Sequence, residues 1–179
     1  MTETAKDSLL QFNSYTIPGD DTLEIMEVAI TEKSEEFMQL TYSFTTGQRA
    51  FVIIQIRVFQ KRDGKPLIVY AKFGGLPRAF DQHILKIFDF SAGSLIETQK
   101  KLLPETIGVK EFLEPKDVDN FASDLEVMST SYELNPEEKN SLIYKLEPQI
   151  YGKGEIENLI KTYDFVYKWN GEVFIKKQK

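Results

Sequence analysis

The stretch that most constrains this chain is Phe51–Phe73, in which two apolar runs, FVIIQIRVFQ and LIVYAKF, flank the polar connection KRDGKP. Side chains alternate along an extended strand, so Val52, Ile54, Ile56 and Val58 share one face while Phe51, Ile53, Gln55, Arg57 and Phe59 share the other. A strand apolar on one side and half apolar on the other belongs in the middle of a sheet. Asp63-Gly64 supplies the turn, because Asp-Gly is a strong short-range hairpin signal. Pro66 has no N–H to give to a ladder and fits the first position of the return strand.

The segments around this hairpin extend it into a meander. Phe37–Phe44 alternates cleanly, with Met38, Leu40, Tyr42 and Phe44 on one face and Gln39, Thr41 and Ser43 on the other. That pattern predicts an antiparallel strand with one side buried, the apolar one. Thr22–Ile30 switches parity between Ile25 and Met26, which predicts a strand with a bulge or bend, with a short helix as the alternative. Ile17–Asp21 and Thr45–Gln48 read as turns, and Glu32–Glu36 as a solvated acidic connection. Residues 1–8 read as a mobile polar segment ahead of a single globular domain over 9–179, with Leu9, Leu10 and Phe12 docking as a short turn or strand.

Phe80–Gln99 admits two readings. Phe80, Ile84, Ile87 and Phe88 have helical spacing, which gives an α+β fold with a helix over 78–103. Ile84, Lys86, Phe88 and Phe90 also alternate with Leu85, Ile87 and Asp89. Ser91-Ala92-Gly93-Ser94 then serves as a hairpin loop, and its Ala-Gly pair would interrupt a helix. The hairpin is preferred. Ile84–Thr98 is similar to a hairpin of a β-propeller blade over about fifteen residues. A propeller needs four or more blades, so the resemblance implies the hairpin alone.

Further on, the spacing predicts a strand over Ile107–Leu113, a helix over Asp117–Leu125 and a strand over Val127–Leu134. Asn135-Pro136 offers an N-cap and an N1 proline for a short helix, followed by a strand through Leu142, Tyr144 and Leu146 that ends by Pro148. Glu155–Tyr163 is a helical piece or a loop. The chain closes with YDFVYKW-NG-EVFIKK, where Asn170-Gly171 predicts a type I′ turn and Lys176, Lys177 and Lys179 protect an exposed edge. The expected fold is mainly β: an antiparallel, sandwich-like meander in one domain with one or two short helices.

Composition narrows the chemistry. With 22 Lys plus Arg against 28 Asp plus Glu, the net charge of −6 opposes binding to polyphosphate, and nucleic acid is not expected as a partner. Arg57, Lys61, Arg62, Lys65 and Lys72, interleaved with Phe59, Tyr70 and Phe73, form the one pattern suited to single-stranded nucleic acid. A charged hairpin tip with long stems over buried aromatics accounts for it better. There is no cysteine and one histidine, which removes disulfides, thiolate metal sites, cysteine nucleophiles and structural zinc. Asp117-x-Asp119-Asn120 has Ala122 where an EF-hand loop needs glycine and Met128 where it needs glutamate. No Walker A sequence, dinucleotide fingerprint or nucleophile elbow is present, so no metal or cofactor is expected. No apolar run approaches the roughly 18 residues of a membrane helix. The opening residues lack the basic and apolar regions of a signal peptide, which suits a cytoplasmic protein or an exported one whose signal has been removed.

His83 is the candidate general base, with Asp81 and Arg78 beside it in sequence. Gly74, Gly75, Arg78 and His83 are candidates for contacting a ligand, because Gly74-Gly75-Leu76-Pro77-Arg78 reads as a loop held by a rigid sheet. Two function classes follow. The first is a non-catalytic binding or structural accessory module of unknown ligand, with the cell envelope as a candidate setting and a protein as the candidate partner. The second is a small hydrolase or ligand-converting enzyme using His83 with Asp81 and Arg78.

Overall fold

The computed structural model describes residues 3–18, 25–44, 51–76, 79–98, 101–102, 108–114, 128–134, 136–148 and 160–177. A helix, α1 (Glu3–Phe12), is followed by β1 (Ser14–Pro18), β2 (Ile25–Lys33), β3 (Phe37–Phe44), β4 (Phe51–Gln60), β5 (Pro66–Leu76), β6 (Ala79–Ser91) and β7 (Ser94–Glu97). These seven strands form one antiparallel sheet in chain order, a pure meander with β4 at its centre. After a 3-10 turn, η1 (Val109–Phe112), come β8 (Met128–Glu133), β9 (Ser141–Pro148), β10 (Asp164–Trp169) and β11 (Phe174–Lys176). They form a second antiparallel sheet, ordered β11-β10-β9-β8. The chain is thus a mainly β single domain of two antiparallel sheets, as its alternation predicts. No helix among the described residues is long and apolar enough to cross a membrane.

The hairpin reading of Phe80–Gln99 holds, and the helix over 78–103 does not form. Ser91 pairs with Ser94 across a two-residue turn in which Ala92 has φ 49° and Gly93 φ 80°. Positive φ at both positions is the type I′ geometry whose twist matches the flanking strands. At Asn170-Gly171 the expected I′ turn is absent, although the hairpin itself forms. Trp169 pairs with Phe174, so the connection has four residues. Asn170 keeps a negative φ and folds its side chain into the turn: its Oδ1 accepts the N–H groups of Glu172 at 2.8 Å and Val173 at 2.9 Å. An Asx turn has replaced the backbone turn.

Other local differences have equally local causes. Residues 3–12 are helical, where a polar segment and a short turn or strand were expected. Ala5 and Leu9, one turn apart, are buried on β1 and β2, and Asn13 at φ 59° closes the helix by donating its N–H to the Leu9 carbonyl. Val109–Phe112 is a 3-10 turn and not a strand, leaving Leu113 a lone bridge to Ile160. Residues 136–140 make bends and a turn with no helix, and the Ser141 hydroxyl donates to the Glu138 carbonyl where β9 begins. The predicted helix over Asp117–Leu125, the turn at Thr45–Gln48 and residues 155–159 of the Glu155–Tyr163 segment lie outside the described residues.

The larger surprise concerns which face of the first sheet is buried. Cross-strand partners share a face, and the register aligns Phe37, Arg57, Val69 and Ile87 in one row and Gln39, Gln55, Ala71 and Leu85 in the next. This is the face that meets the second sheet. Phe59, Leu67, Val69 and Ala71 are sealed there against Leu134, Leu142, Tyr144, Tyr167, Trp169 and Phe174. Gln55 and Arg57, at 2% and 3% exposure, sit inside this interface. The expectation that Met38, Leu40 and Tyr42 form the buried side of β3 is therefore overturned: they are half-buried, and Phe37 on the other face is sealed.

The polar residues are tolerated because each is bonded. The Gln55 amide donates to Gln39 at 2.9 Å and accepts the backbone N–H of Leu134 at 2.8 Å. Arg57 donates to the carbonyls of Glu138 at 2.9 Å and Pro136 at 3.3 Å and lies over the Phe37 ring at 4.8 Å. Burial lowers the Arg57 pKa, and Glu36 and Glu32 oppose that shift. Trp169 adds a third tie, donating its indole N–H to the Gln60 carbonyl at 2.7 Å. Directional bonds between the sheets fix which face docks and at what register, which apolar matching alone does not do.

Candidate binding surfaces

With Gln55 and Arg57 turned inward, the more apolar face of the sheet points outward. Its rows are Tyr42 and Val52; Ile30, Leu40, Ile54, Lys72 and Ile84; Met38, Ile56, Tyr70 and Lys86; and Val58, Ile68 and Phe88. All of these side chains are half-buried, none sealed. Val28, in the first row, is sealed at 1% exposure where α1 packs on β1 and β2. Among the described residues no other helix lies on this face. Strand spacing gives it an extent of roughly 20 Å along the strands and roughly 15 Å across β3–β6. A patch of that size matches the largest apolar patch of an ordinary monomer, and such patches are often functional. Burial raises the pKa of the Tyr70 phenol, with Tyr42 adding to the shift and Lys86 opposing it. Lys86 is itself paired with Glu97 at 2.8 Å, at the margin of the patch.

A second concavity lies at the margin of the other sheet. It has a volume of about 810 Å³ and is lined by Lys161, Thr162, Asp164, Phe165, Val166, Lys176 and Lys177. Its walls are mainly apolar. β11 is the edge strand here, and the Lys177 N–H donates to the Val166 carbonyl at 2.8 Å. Lys176 holds its Nζ 3.5 Å from the centre of the Phe165 ring. Phe165 is fixed from behind by Phe112, with ring centroids 4.7 Å apart. The Thr162 hydroxyl donates to the Asp164 carbonyl at 2.9 Å and so sets the entry into β10. A third, smaller concavity of about 300 Å³ lies over Phe37 and Arg57, rimmed by Glu32, Glu35 and Glu36. The Arg57 guanidinium there is already engaged by the two carbonyls.

The residues singled out in the sequence fall at the far end of the β5–β6 hairpin. Gly74 and Gly75 are not in a loop: they lie in β5 and pair with Asp81 and Phe80 of β6. Gly74 has a packing reason to be glycine, since an added Cβ would stand 2.8 Å from the Val52 Cα and closer still to the Phe51 carbonyl oxygen. The register shifts between Lys72, opposite Ile84, and Phe73, opposite Gln82, so His83 is the extra residue of a bulge. The backbones of Gly74, Gly75, Asp81 and His83 are thereby brought together. The side chains of Asp81 and His83, and the whole of Arg78, lie outside what the structure describes. Among the described residues no group of three His, Asp or Glu side chains is placed to hold a metal ion.

The basic cluster of the central hairpin does not share one surface. Arg57 and Phe59 are in the core, Lys61 pairs with Asp89, Arg62 with Glu172 at 2.9 Å and Lys65 with Asp63 at 3.3 Å. Lys72 lies on the outward apolar face. The cavity at β10–β11 was missed in the sequence, where Lys176 and Lys177 read only as edge protection. The available signal was their adjacency to the aromatic run of β10.

No protein-family profile and no curated protein matches the chain. Among solved structures it is similar to a domain of an uncharacterized protein from Porphyromonas gingivalis W83, with a TM-score of 0.67 at 12% identity, over 100% of this chain and 90% of that one. At that identity the likeness is one of fold: the two chains share an architecture, and the chemistry must be argued from the surfaces described above.

Proposed function

We propose that this chain is a non-catalytic binding or accessory module that docks an apolar protein surface on the outward face of its seven-stranded sheet. The observation that supports this most is the inverted pattern of β4, where Gln55 and Arg57 are sealed while Val52, Ile54, Ile56 and Val58 remain half-buried. A sheet apolar on both faces is suited to the middle of three layers. The second sheet is one layer, and α1 supplies only a strip of the other. A protein is the fitting occupant because the patch is broad, follows the pleat of four strands and has the Lys86–Glu97 ion pair at its margin, as apolar interface centres with polar rims do. The test is site-specific photo-crosslinking in the native cell extract, with the crosslinking side chain placed at Ile56, at Val58 or at the exposed Glu172. One discrete protein adduct from 56 and 58, absent from 172 and abolished by Ile54→Lys, is the expected result. Adducts to lipid, to a second copy of the chain or to nothing would refute the reading.

A second reading, a small hydrolase using His83, Asp81 and Arg78, is favoured by one observation. The bulge places His83 out of register beside the Gly74–Asp81 pair, and bulges often re-aim side chains at active sites. Hydrolysis of an ester panel that disappears in His83→Ala would establish it, and no turnover would dismiss it.

A further inference from the structure

We infer that the cavity at the β10–β11 margin is a second binding site, and that it takes a drug-sized amphipathic anion. The apolar body would lie against Phe165 and Val166, and the carboxylate, sulfonate or phosphate head against Lys161, Lys176 and Lys177.

Two features support this. The first is size and lining: about 810 Å³ with mainly apolar walls and a few polar groups falls within the range of small-molecule pockets. The second is charge. The chain has 22 basic against 28 acidic residues, yet among the described residues the lining carries three lysines and one carboxylate, Asp164. A local reversal of sign over an apolar wall complements a ligand with an apolar body and an anionic head. Lys176 fits the role, because its ammonium lies over the Phe165 ring at the boundary between the two. This site is separate from the outward sheet face and does not depend on the reading given for that face.

The test uses two fluorescent probes that differ chiefly by an anionic group, 8-anilino-1-naphthalenesulfonate and neutral N-phenyl-1-naphthylamine, titrated into the intact chain. The sulfonate is expected to bind more tightly than the neutral probe and to weaken with added salt. The double variant Lys176→Glu, Lys177→Glu is expected to lose about tenfold or more in sulfonate affinity with neutral-probe affinity kept. A variant with the same change in net charge at distant sites, Lys6→Glu with Lys65→Glu, is expected to stay within about twofold of the parent. Trp169 fluorescence would verify that both variants are folded. Equal binding of the two probes, no binding of either, or equal losses in both double variants would each overturn the assignment. So would co-sedimentation with phosphatidylcholine–phosphatidylglycerol vesicles in place of uptake from solution, since that would make the lysines a membrane contact.

Discussion

Replacing Gln55 with leucine is the substitution on which apolar patterning and this structure disagree most. By pattern alone it should stabilise, since β4 is an apolar strand and Gln55 is 2% exposed. The structure predicts the opposite. Leucine cannot accept the N–H of Leu134, which is itself fully sealed, nor donate to Gln39. A buried donor left unsatisfied costs about 1–3 kcal/mol, and a lost neutral hydrogen bond about 1 kcal/mol. The added apolar burial returns about 1 kcal/mol. The expected net loss is about 1–3 kcal/mol, or a fall in Tm of a few degrees for a chain of this length. Gln39→Leu leaves Leu134 satisfied but takes the acceptor from the buried Gln55 amide and breaks the exposed bond from Gln39 to Thr31, so it should also cost about 1–3 kcal/mol. Losses in both variants report the Gln39–Gln55–Leu134 chain of bonds as one unit. Urea unfolding followed by the single tryptophan, Trp169, measures both, because it is 8% exposed and in the core. Unchanged or increased stability of Gln55→Leu, at an unchanged m-value, would refute the argument that directional bonds select the docked face.

Three further outcomes follow from local geometry. Ala92→Gly should raise stability by about 1 kcal/mol in chemical denaturation, because an alanine at φ 49° bears a strain that glycine lacks; no gain would contradict the I′ turn. Gly171→Val should lower the melting temperature, since φ is 96° there and a Cβ would meet the Arg62 Cγ at 2.7 Å; an unchanged melt would contradict the turn geometry. The carboxyls of Asp63 and Glu138 are held below their ordinary values, Asp63 chiefly by the backbone N–H of Lys65 and Glu138 chiefly by its hydrogen bond to Lys168. A depressed carboxyl stabilises the fold above its unfolded pKa, and that contribution disappears as pH falls through the lower folded value. Asp63→Asn with Glu138→Gln should therefore reduce the stability difference between pH 7 and pH 3, and an unaltered difference would contradict those hydrogen bonds.

Much of the fold was legible because strand period is a strong signal wherever turns punctuate it. The central hairpin, β3, the β6–β7 hairpin and the terminal hairpin all follow from alternation and glycine-bearing turns. The identity of the buried face was not legible. Val52, Ile54, Ile56 and Val58 are the more apolar set, and hydrophobicity alone assigns them to the core. What reverses the assignment is a set of contacts across some eighty residues, from Gln55 to Leu134 and from Arg57 to Pro136 and Glu138, which no local window contains. The type I′ turn moved for a comparable reason: the Asn170 side chain satisfied two backbone donors and made a longer connection favourable, while Ala92-Gly93 accepted the tighter geometry. The β10–β11 cavity joins residues 161–166 with 176 and 177 across a hairpin, a juxtaposition no periodic pattern announces.

The central claim is that the outward apolar face is open to a partner, and the absence of cysteine makes it directly measurable. Single cysteines would be placed at Ile54, Ile56 and Val69, and their reaction with an aromatic disulfide reagent timed under native conditions. The structure predicts that Ile54→Cys and Ile56→Cys, half-buried on the outward face, react without unfolding and far faster than Val69→Cys. Val69→Cys, fully sealed between the sheets, should react only through unfolding, slower by more than about a thousandfold for a chain of ordinary stability. Protection of positions 54 and 56 as strong as that of position 69 would show the face already covered, and would contradict the account.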